Sequence, residues 1–297
     1  ALTLAELGAR LLLLNRASSR ADASLADLKA AVPDAELHAV ECDLQSFASV
    51  EAAAARVTEL CPDGVHVLCN NAGVMALADK ATPDGFDVQM QTNHLSHFLL
   101  TRELMPLLER AAEATGDARI VNHSSVARLQ KKTLLPEYLE KKGGQLGGDG
   151  GGLLNSIMMG PRWIRYGQTK LANAAFTAAL HARLQAKGSK VKALVAHPGL
   201  ANTSLQQTSV KEGGMGAMLT GMMMKMSQST EDGAMGILSC MCLPDATSGQ
   251  FYGPGKGLTS MKGPALPFAL EGFYDNEPTR AMIWQKSEAA IGRSFAV

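Results

Sequence analysis

The chain has 297 residues, which is enough for one large α/β domain or two small ones. Its 28 basic residues equal its 28 acidic residues, which predicts no basic face and argues against nucleic acid as a partner. Hydrophobic residues make up 46% of the chain, yet no apolar run approaches the roughly 20 residues of a membrane span.

Strand-like and helix-like patterns alternate along the chain. Apolar runs of strand length lie at 11–14, 37–42, 65–69, 119–123, 191–196 and 249–252. Helical patterns lie at 2–7, 21–31, 46–60, 84–114, 166–180 and 231–243. The alternation predicts one α/β domain over residues 1–297, a doubly wound, Rossmann-type parallel sheet with helices on both faces.

Polar and turn-forming residues follow several of the predicted strands. They are Arg16, Asp43, Asn70, Ser125 and Pro198. In doubly wound sheets, ligands bind beyond the carboxyl ends of the strands. We therefore expect these residues to share one binding site.

A tyrosine and a lysine lie four residues apart at the start of a helical pattern. This spacing puts Tyr166 and Lys170 on the same helix face, about one turn apart. A nearby cation favours the phenolate, so the pair can act as a proton-transfer device. The spacing alone is more often that of a surface pair on an amphipathic helix.

The cysteines bear on metal binding and on the compartment. The five cysteines are odd in number and form no paired metal-ligand pattern, so we expect no metal site and reduced thiols in an intracellular compartment. The first residue is Ala1 and no signal peptide is visible. The cytoplasm and, after removal of a presequence, a mitochondrion or chloroplast both stay open.

Taken in order, these motifs resemble the short-chain dehydrogenase/reductase family. The order is Asn70-Asn71-Ala72-Gly73, Asn93, Ser125, Tyr166-x-x-x-Lys170, and Pro198-Gly199 with Thr203. The segments 166–173, 249–254 and 284–295 are similar to the retinol-dehydrogenase-like branch. The resemblance covers nearly the whole chain, and it implies an oxidoreductase that interconverts a carbonyl and an alcohol on a hydrophobic small molecule.

The resemblance also implies the catalytic roles. Tyr166 is the general acid/base for the substrate oxygen, and Lys170 lowers its pKa and binds the nicotinamide ribose. Ser125, rather than Ser124, donates a hydrogen bond to the same oxygen. Asn93 holds a proton relay that runs through water.

A second set of residues is expected to hold the cofactor. By resemblance, this set includes Arg16, Asp43, Leu44, Asn70, Ala72, Gly73, Pro198, Gly199 and Thr203, together with Tyr166 and Lys170. A basic residue directly after a strand, with no acidic residue there, is typical of 2′-phosphate recognition, so Arg16 favours NADP over NAD. The alternative for Arg16 is a solvated surface residue.

The chain departs from the family pattern before its first predicted strand. The family opens with a strand and a Thr-Gly-x-x-x-Gly-x-Gly turn that holds the pyrophosphate, and neither is present in this sequence. We expect a gap of ~10 Å in the sheet, with unpaired backbone on both sides. Three explanations stay open: an incomplete N-terminus, a second copy or larger complex that covers the gap, or an accessory subunit that has lost cofactor binding.

Two further segments differ from the family pattern. Residues 131–165 form a glycine-rich insertion, which predicts a flexible surface loop that borders the substrate mouth, contacts a partner or is simply tolerated. Residues 204–230 are rich in methionine, a residue that adapts to irregular apolar shapes. This segment predicts a lid over a bulky hydrophobic substrate, a docking surface or an ordinary core helix.

Overall fold

A computed structural model gives the arrangement of most of the chain. The described residues are 1–151, 158–201, 209–210, 213–214, 216, 220–221, 227–254 and 261–297. Most of the methionine-rich segment lies outside the described residues, for example 217–219 and 222–226. Thr203 lies outside them as well. The lid expected over 204–230 is therefore represented by only a few described residues.

Strands and helices alternate through the described residues, as the sequence predicts. The strands are β1 Leu11–Asn15, β2 Leu37–Glu41, β3 Val67–Asn70, β4 Ala118–His123, β5 Val191–Ala196, β6 Gln250–Gly253 and β7 Leu266–Ala269. The helices are α1 Leu2–Glu6, α2 Ser19–Ala31, α3 Phe47–Leu60, α4 Val88–Met90, α5 Ser96–Thr115, α6 Pro161–Lys187, α7 Thr230–Cys242 and α8 Glu277–Ile291.

The strands form two sheets within the described residues. β1 pairs with β2 in parallel, while the other sheet has the order β3-β4-β5-β6-β7. All pairs of the second sheet are parallel except β6–β7, which is antiparallel. Among the strands of the described residues, β1 and β3 each have a paired strand on one side only, and Val67 on β3 is 37% exposed. The sheet is thus divided where the sequence predicts a missing strand.

Both faces of the larger sheet are covered by helices. Successive residues of β4 enter different cores: Ile120 packs with residues of α5 and α6, whereas Val121 packs with Cys240 of α7. Side chains alternate between the faces of a strand, so this separation shows a helical layer on each side. The fold is an α/β sandwich of the doubly wound type, as expected.

Helix α6 is the element on which the site is built. It begins after Gly160 with Pro161 at its first position and ends at Gly188, whose φ of 71° suits glycine. Residues 171–180 of α6 are almost completely buried against β4, β5 and α8. Such burial fixes the helix axis, and with it the side chains of its first turns.

The sequence-based prediction differs from the structure in three elements. The helix expected over 84–114 begins at Val88, capped by the Asp87 carboxylate, and contains a π-helical turn, Gln91–Leu95. The sequence predicts that β6 is the last strand. In the structure β7 follows it, although its residues show no alternating pattern. No helix is predicted over the 284–295 motif, but in the structure it belongs to helix α8 and the turn after it, where Trp284 stacks on Phe295.

None of the helices in the described part of the chain has both the length and the apolar character needed to cross a membrane.

Candidate active site

Tyr166 and Ser125 meet where helix α6 passes the carboxyl end of β4. Tyr166 lies in the second turn of α6 and is 5% exposed, and Ser125 is the second residue after β4. The Ser125 hydroxyl lies close enough to the Tyr166 phenol to lower the pKa of that phenol. Ser124 points elsewhere, because its hydroxyl donates to the Lys170 carbonyl at 2.7 Å. The geometry therefore pairs Ser125, and not Ser124, with the phenol.

Lys170 follows Tyr166 by one turn and is held against the end of β4. Its Nζ donates to the His123 carbonyl at 3.0 Å and lies 5.8 Å from the centre of the Tyr166 ring. Asn173, one turn later, donates to the same carbonyl at 2.9 Å. Burial lowers the pKa of Lys170 to about 8 because a buried ammonium loses its hydration.

The phenol is in an environment that favours its neutral form. Burial raises the pKa of Tyr166 to about 12, and the hydrogen bond from Ser125 lowers it by a smaller amount. The sequence predicts that Lys170 lowers this pKa, but the causes of the shift in this structure are burial and Ser125. Tyr166 is thus a protonated hydrogen-bond donor near neutral pH.

Asn93 joins three segments of the site. It lies on the π-helical turn and is completely buried. Its amide exchanges hydrogen bonds with both backbone groups of Val74, at 2.7 and 2.9 Å, and donates to Thr169 Oγ1 at 2.9 Å. Its carbonyl is 3.1 Å from His97 Nδ1. These contacts give Asn93 a positioning role, and the water-linked relay stays a prediction.

Two histidines, His97 and His123, lie close to the Lys170 ammonium. Burial and the nearby ammonium lower the pKa of His123 to about 3 and that of His97 to about 4. His197 also acts on His123, because both rings are close to each other. His97 and His123 are neutral at pH 7 by these effects, so Lys170 is the cation of this cluster. The described residues contain no group of His, Cys, Asp or Glu side chains that could hold a metal ion.

The residues expected on the adenosine side lie at the ends of β1, β2 and β3. Arg16 is exposed after β1. Asp43 accepts a hydrogen bond from Gln45 N at 2.9 Å, and the Leu44 carbonyl accepts one from Ser96 Oγ at 2.7 Å. The structure thus holds the loop after β2 in a fixed turn, with Arg16 at the neighbouring strand end.

The segment after β3 divides into a buried and an open part. Asn70 is 2% exposed and donates to Thr101 and Asn122, at 3.0 and 2.9 Å, which makes it part of the sheet interior. Ala72 is exposed. A Cβ on Gly73 would lie 3.1 Å from Asn93 Oδ1 and 3.5 Å from Lys170 Nζ. Glycine therefore keeps a space open beside the ammonium.

The turn after β5 is equally restricted. Gly199 has a φ of 64°, and a Cβ there would overlap the Met261 carbonyl. The Pro198 carbonyl accepts a hydrogen bond from Gln228 Nε2 at 2.6 Å. Pro198 and Gly199 therefore form a rigid turn at the same end of the sheet as Ser125. Thr203 lies outside the described residues.

Apolar side chains pack around the ring of Tyr166. Trp163, three residues before Tyr166, meets its ring edge to face, with 5.8 Å between the centroids. Met75 and Ala76 complete this cluster, and Met158, Ala127 and Val210 pack around it half-buried. The sequence-based prediction does not include Trp163, although it precedes Tyr166 by three residues and therefore lies on the same helix face.

The glycine-rich insertion is anchored beside the site. Arg165, completely buried, donates to the carbonyls of Leu146 and Gly148 at 3.1 and 2.6 Å, and to that of Leu77 at 3.1 Å. Its guanidinium faces the carboxylates of Asp79, Asp87 and Asp149 at 3.5–3.7 Å. Sequence analysis missed Arg165 because its partners are distant along the chain.

Several glycines of the insertion adopt a backbone conformation that favours glycine. Gly144, Gly147, Gly148 and Gly150 all have positive φ, between 60° and 91°, a region in which other residues are strained. The glycines at these positions therefore suit the backbone of residues 143–151, and the flexibility expected from their density stays a prediction. Residues 152–157 of the insertion lie outside the described part of the chain.

Comparisons with known proteins agree with this geometry. The family model described as short chain dehydrogenase matches residues 1–147. Retinol dehydrogenase 12 of Mus musculus is 30% identical over 254 residues, which are 84% of this chain and 71% of that protein. An uncharacterized oxidoreductase of Schizosaccharomyces pombe is 33% identical over 211 residues, or 70% of this chain and 58% of that protein. The matched part is thus little more than half of the yeast relative's length.

A solved structure resembles the whole chain. It is the crystal structure of a putative uncharacterized protein from Mycobacterium Paratuberculosis, with a TM-score of 0.72 and 28% sequence identity. The match covers 100% of this chain and 89% of that one. The arrangement of strands and helices described above is therefore similar to that of this solved structure.

Proposed function

The chain belongs to the short-chain dehydrogenase/reductase family, and from this premise we propose that it is an NADP-dependent oxidoreductase. It would interconvert a carbonyl and an alcohol on a hydrophobic small molecule. The observation that carries this proposal is the position of Ser125 and of the Lys170 ammonium beside the Tyr166 phenol, at the carboxyl end of β4. In a doubly wound sheet this is the end at which ligands bind.

Two hydroxyl groups can act on one substrate oxygen. A bound nicotinamide would supply the hydride. Ser125 and Tyr166 would donate hydrogen bonds to the carbonyl oxygen, and Tyr166 would give its proton to the developing alkoxide. The raised pKa of Tyr166 keeps that proton in place at neutral pH. This supports Tyr166 as the general acid in the reducing direction.

The apolar surroundings support a hydrophobic substrate. Trp163, Met75 and Ala76 are each less than 10% exposed, and they lie against the ring of Tyr166. Aromatic and thioether side chains pack well against apolar groups and offer little to a charged one. The name of the mouse relative, a retinol dehydrogenase, fits a substrate of this kind.

The residues present fit the cofactor in part. The open space at Gly73, next to Lys170 Nζ, suits a ribose that is hydrogen-bonded to the ammonium. We propose Asp43 and Leu44 for the adenine and Pro198, Gly199 and Thr203 for the nicotinamide side. Ala72 is exposed at the rim of the same space. Asn70 would act indirectly, because its amide is engaged with Thr101 and Asn122.

Arg16 is proposed to bind the 2′-phosphate of NADP, and its replacement is a direct test. We expect Arg16→Ala to raise the KM for NADPH about 10-fold and to leave the KM for NADH nearly unchanged, because a charge-assisted hydrogen bond to phosphate is lost. The measurement is kcat/KM with each cofactor. Lys29→Ala, which removes an exposed charge from the far end of α2, is the matched control. Equal losses with both cofactors would contradict the assignment.

The charge of Lys170 should make the rate of carbonyl reduction depend on pH. Its pKa is lowered to about 8, so its positive charge is present below pH 8 and is lost as the pH rises through that value. We expect kcat for carbonyl reduction to fall above about pH 8, while Tyr166 stays protonated. Reduction rates between pH 6 and 9.5 at saturating NADPH would show the decline. A rate that stays constant to pH 9.5 would contradict a role for the Lys170 charge.

The thiols support a reducing compartment. All five cysteines are free, and burial raises the pKa of Cys69 to about 12 and that of Cys240 even further. Such thiols are poor nucleophiles and metal ligands. We propose that the protein works in an intracellular, reducing compartment, and the relatives leave the choice of compartment to a localisation experiment.

The proposed activity can be tested with the purified protein and NADPH. We expect oxidation of NADPH at 340 nm with apolar aldehydes or ketones, and quenching of tryptophan fluorescence on cofactor binding. Turnover without preference for apolar carbonyls would contradict the substrate class. If neither binding nor turnover is found, the protein is instead an accessory subunit on this fold, and its size in solution and in extracts would then identify its assembly.

A further inference from the structure

A short turn after β4 determines where the Ser125 hydroxyl lies. Val126–Leu129 form a 3₁₀ helix that Ser125 caps, and we call residues 125–129 the serine turn. The Ser125 hydroxyl accepts a hydrogen bond from Ala127 N at 3.2 Å, and the Ser125 carbonyl accepts one from Arg128 N at 3.1 Å. A hydroxyl that accepts a hydrogen bond can still donate its own proton, so Ser125 stays able to bind a substrate oxygen.

Helix α6 supports one side of the serine turn. A Cβ on Gly167, the residue after Tyr166, would lie 2.9 Å from the Ala127 carbonyl and 2.7 Å from Gln130 Oε1. Both distances are shorter than a side-chain contact allows, so only glycine lets the turn come this close to the helix backbone. The serine turn therefore packs directly on α6 beside the phenol.

Arg128 holds the serine turn from the other side. It is completely buried, its Nη1 donates to the Ser125 carbonyl at 3.2 Å, and its Nε donates to Glu271 Oε2 at 2.7 Å. Glu271 lies after β7, 143 residues further along the chain. The guanidinium also lies over the Phe251 ring of β6, 4.5 Å from its centre. One side chain thus joins the Ser125 backbone to β6 and to the loop after β7.

The contacts of Arg128 use properties that belong to arginine. A buried charge needs a countercharge, and the Glu271 side chain that supplies it is only 14% exposed. The planar guanidinium directs two N–H groups to two partners at once, which a lysine ammonium does less well. Phe251 is itself fixed, because it stacks on Phe268 with 4.8 Å between the ring centres. Arg128 therefore ties Ser125 to a rigid part of the core.

From these contacts we propose that Arg128 is a positioning residue for carbonyl reduction, which holds the Ser125 hydroxyl where it meets the substrate oxygen beside Tyr166. The proposal rests on the proposed function, because Ser125 has a carbonyl oxygen to bind only if the site reduces one. Arg128 acts through the Ser125 backbone and not by contact with the substrate. A hydrogen-bond donor stabilises a developing alkoxide only when it is already in place, so displacement of the turn should lower the rate more than the cofactor affinity.

Two replacements of Arg128 should differ in the size of their effect. Arg128→Met removes the charge and all donors, and we expect kcat to fall about 10- to 100-fold, since a displacement of about 1 Å can cost about 10²-fold. Arg128→Lys keeps the charge opposite Glu271 but loses the second donor, so we expect a fall of about 3- to 10-fold. The KM for NADPH should change by less than about twofold in both variants. Arg128→Lys carries the test if Arg128→Met does not fold.

A double-replacement cycle separates positioning from a purely structural role. In the Ser125→Ala background there is no hydroxyl to hold in place, so Arg128→Lys should lower kcat by less than about twofold. A structural role would lower kcat equally with and without the Ser125 hydroxyl. Equal losses in the two backgrounds would therefore overturn the proposal.

Arg119→Lys is the matched control. Arg119 is also buried and lies on β4, but at the opposite end of that strand from Ser125. It pairs with Asp117 at 2.6 Å and donates to two backbone carbonyls at the C-terminal end of α7, at 3.0 and 2.8 Å. We expect this replacement to change kcat by less than about twofold. A loss of kcat as large as that of Arg128→Lys would overturn the proposal.

Hydrogen exchange tests the contact without turnover. Peptides that cover residues 125–130 should exchange several-fold faster in Arg128→Lys than in wild type or Arg119→Lys, because the serine turn has lost a donor. Unchanged exchange would overturn the role of Arg128 in holding the turn, and faster exchange with unchanged kcat would overturn its role in positioning Ser125. A wild-type protein that reduces no carbonyl would refute the proposed function and the catalytic part of this proposal, while the exchange comparison still decides whether Arg128 holds the serine turn.

Discussion

Tyr166→Phe is expected to lower kcat for carbonyl reduction about 10²- to 10⁴-fold, while the affinity for NADPH changes by less than about twofold. The replacement removes a single oxygen atom. The ring would keep its edge-to-face contact with Trp163, and Ser125 would keep its hydrogen bond from Ala127 N. Because the phenol is buried and protonated, no solvent molecule or neighbouring acid can easily take over the proton transfer.

The measurement is single-turnover reduction with NADPH in excess, together with cofactor affinity from fluorescence. Tyr252→Phe is a suitable control, since this tyrosine is equally buried but bonds to Gln250 in the core on the other face of the sheet. Ser125→Ala should show a smaller loss, as one of two hydrogen bonds to the substrate oxygen disappears. Turnover by Tyr166→Phe at the wild-type rate would contradict the assigned acid.

The fold could be predicted from the sequence because the patterns that indicate strands and helices are local. Apolar runs of strand length alternate with amphipathic patterns, and the carboxyl ends of the strands then bring Ser125 and the turn at Pro198 to one edge. β7 was missed because its residues, Leu266–Ala269, contain a proline and no alternation. The π-helical turn was missed because hydrogen bonding, and not composition, separates it from the α-helix around it.

The site was predictable where a role belongs to a side chain in a known spacing. Tyr166 and Lys170 are such a case, and the structure brings both to Ser125. The backbone acceptor of Lys170, the His123 carbonyl, has no signature in the sequence because every residue has a carbonyl. The direction of the pKa shift of Tyr166 could not be predicted from the sequence either, since it depends on burial by residues from several elements.

Asn93 shows how a motif residue can acquire a second role. The sequence identifies its position by resemblance, but its amide is occupied by Val74 and Thr169. These bonds fix the segment after β3 against α6, next to Gly73 and Lys170. A residue that holds two walls of a site in register affects catalysis through positions, even where it does not touch the substrate.

The buried Arg165 gives the second large effect, this time on stability. We expect Arg165→Leu to reduce the free energy of unfolding by about 3–5 kcal/mol at pH 7.5, because removal of one partner leaves buried carboxylates without a countercharge. Asp79 and Asp87 are only 3% and 1% exposed in their side chains. The carbonyls of Leu146 and Gly148 also lose their donor.

The effect should depend on pH in a defined direction. Burial raises the pKa of Asp87 to about 6, and the Arg165 charge opposes this rise. Below pH 6 the folded protein holds Asp87 protonated, so it needs the guanidinium less; above pH 6 the carboxylate is charged and depends on it. The difference in unfolding free energy between wild type and Arg165→Leu should therefore be largest above pH 7 and should shrink toward pH 5.

Denaturant unfolding of both proteins at pH 5, 6 and 7.5 measures this difference. Arg56→Leu is the matched control, because Arg56 pairs with Glu59 on an exposed surface, where an ion pair contributes at most about 1 kcal/mol. Arg165→Lys keeps the charge but cannot reach several carbonyls at once, so an intermediate loss is expected. A loss for Arg165→Leu as small as that of Arg56→Leu, or one that grows toward pH 5, would show that the insertion is held by other contacts. The loop beside Tyr166 would then owe its shape to the positive-φ glycines and not to the arginine that they surround.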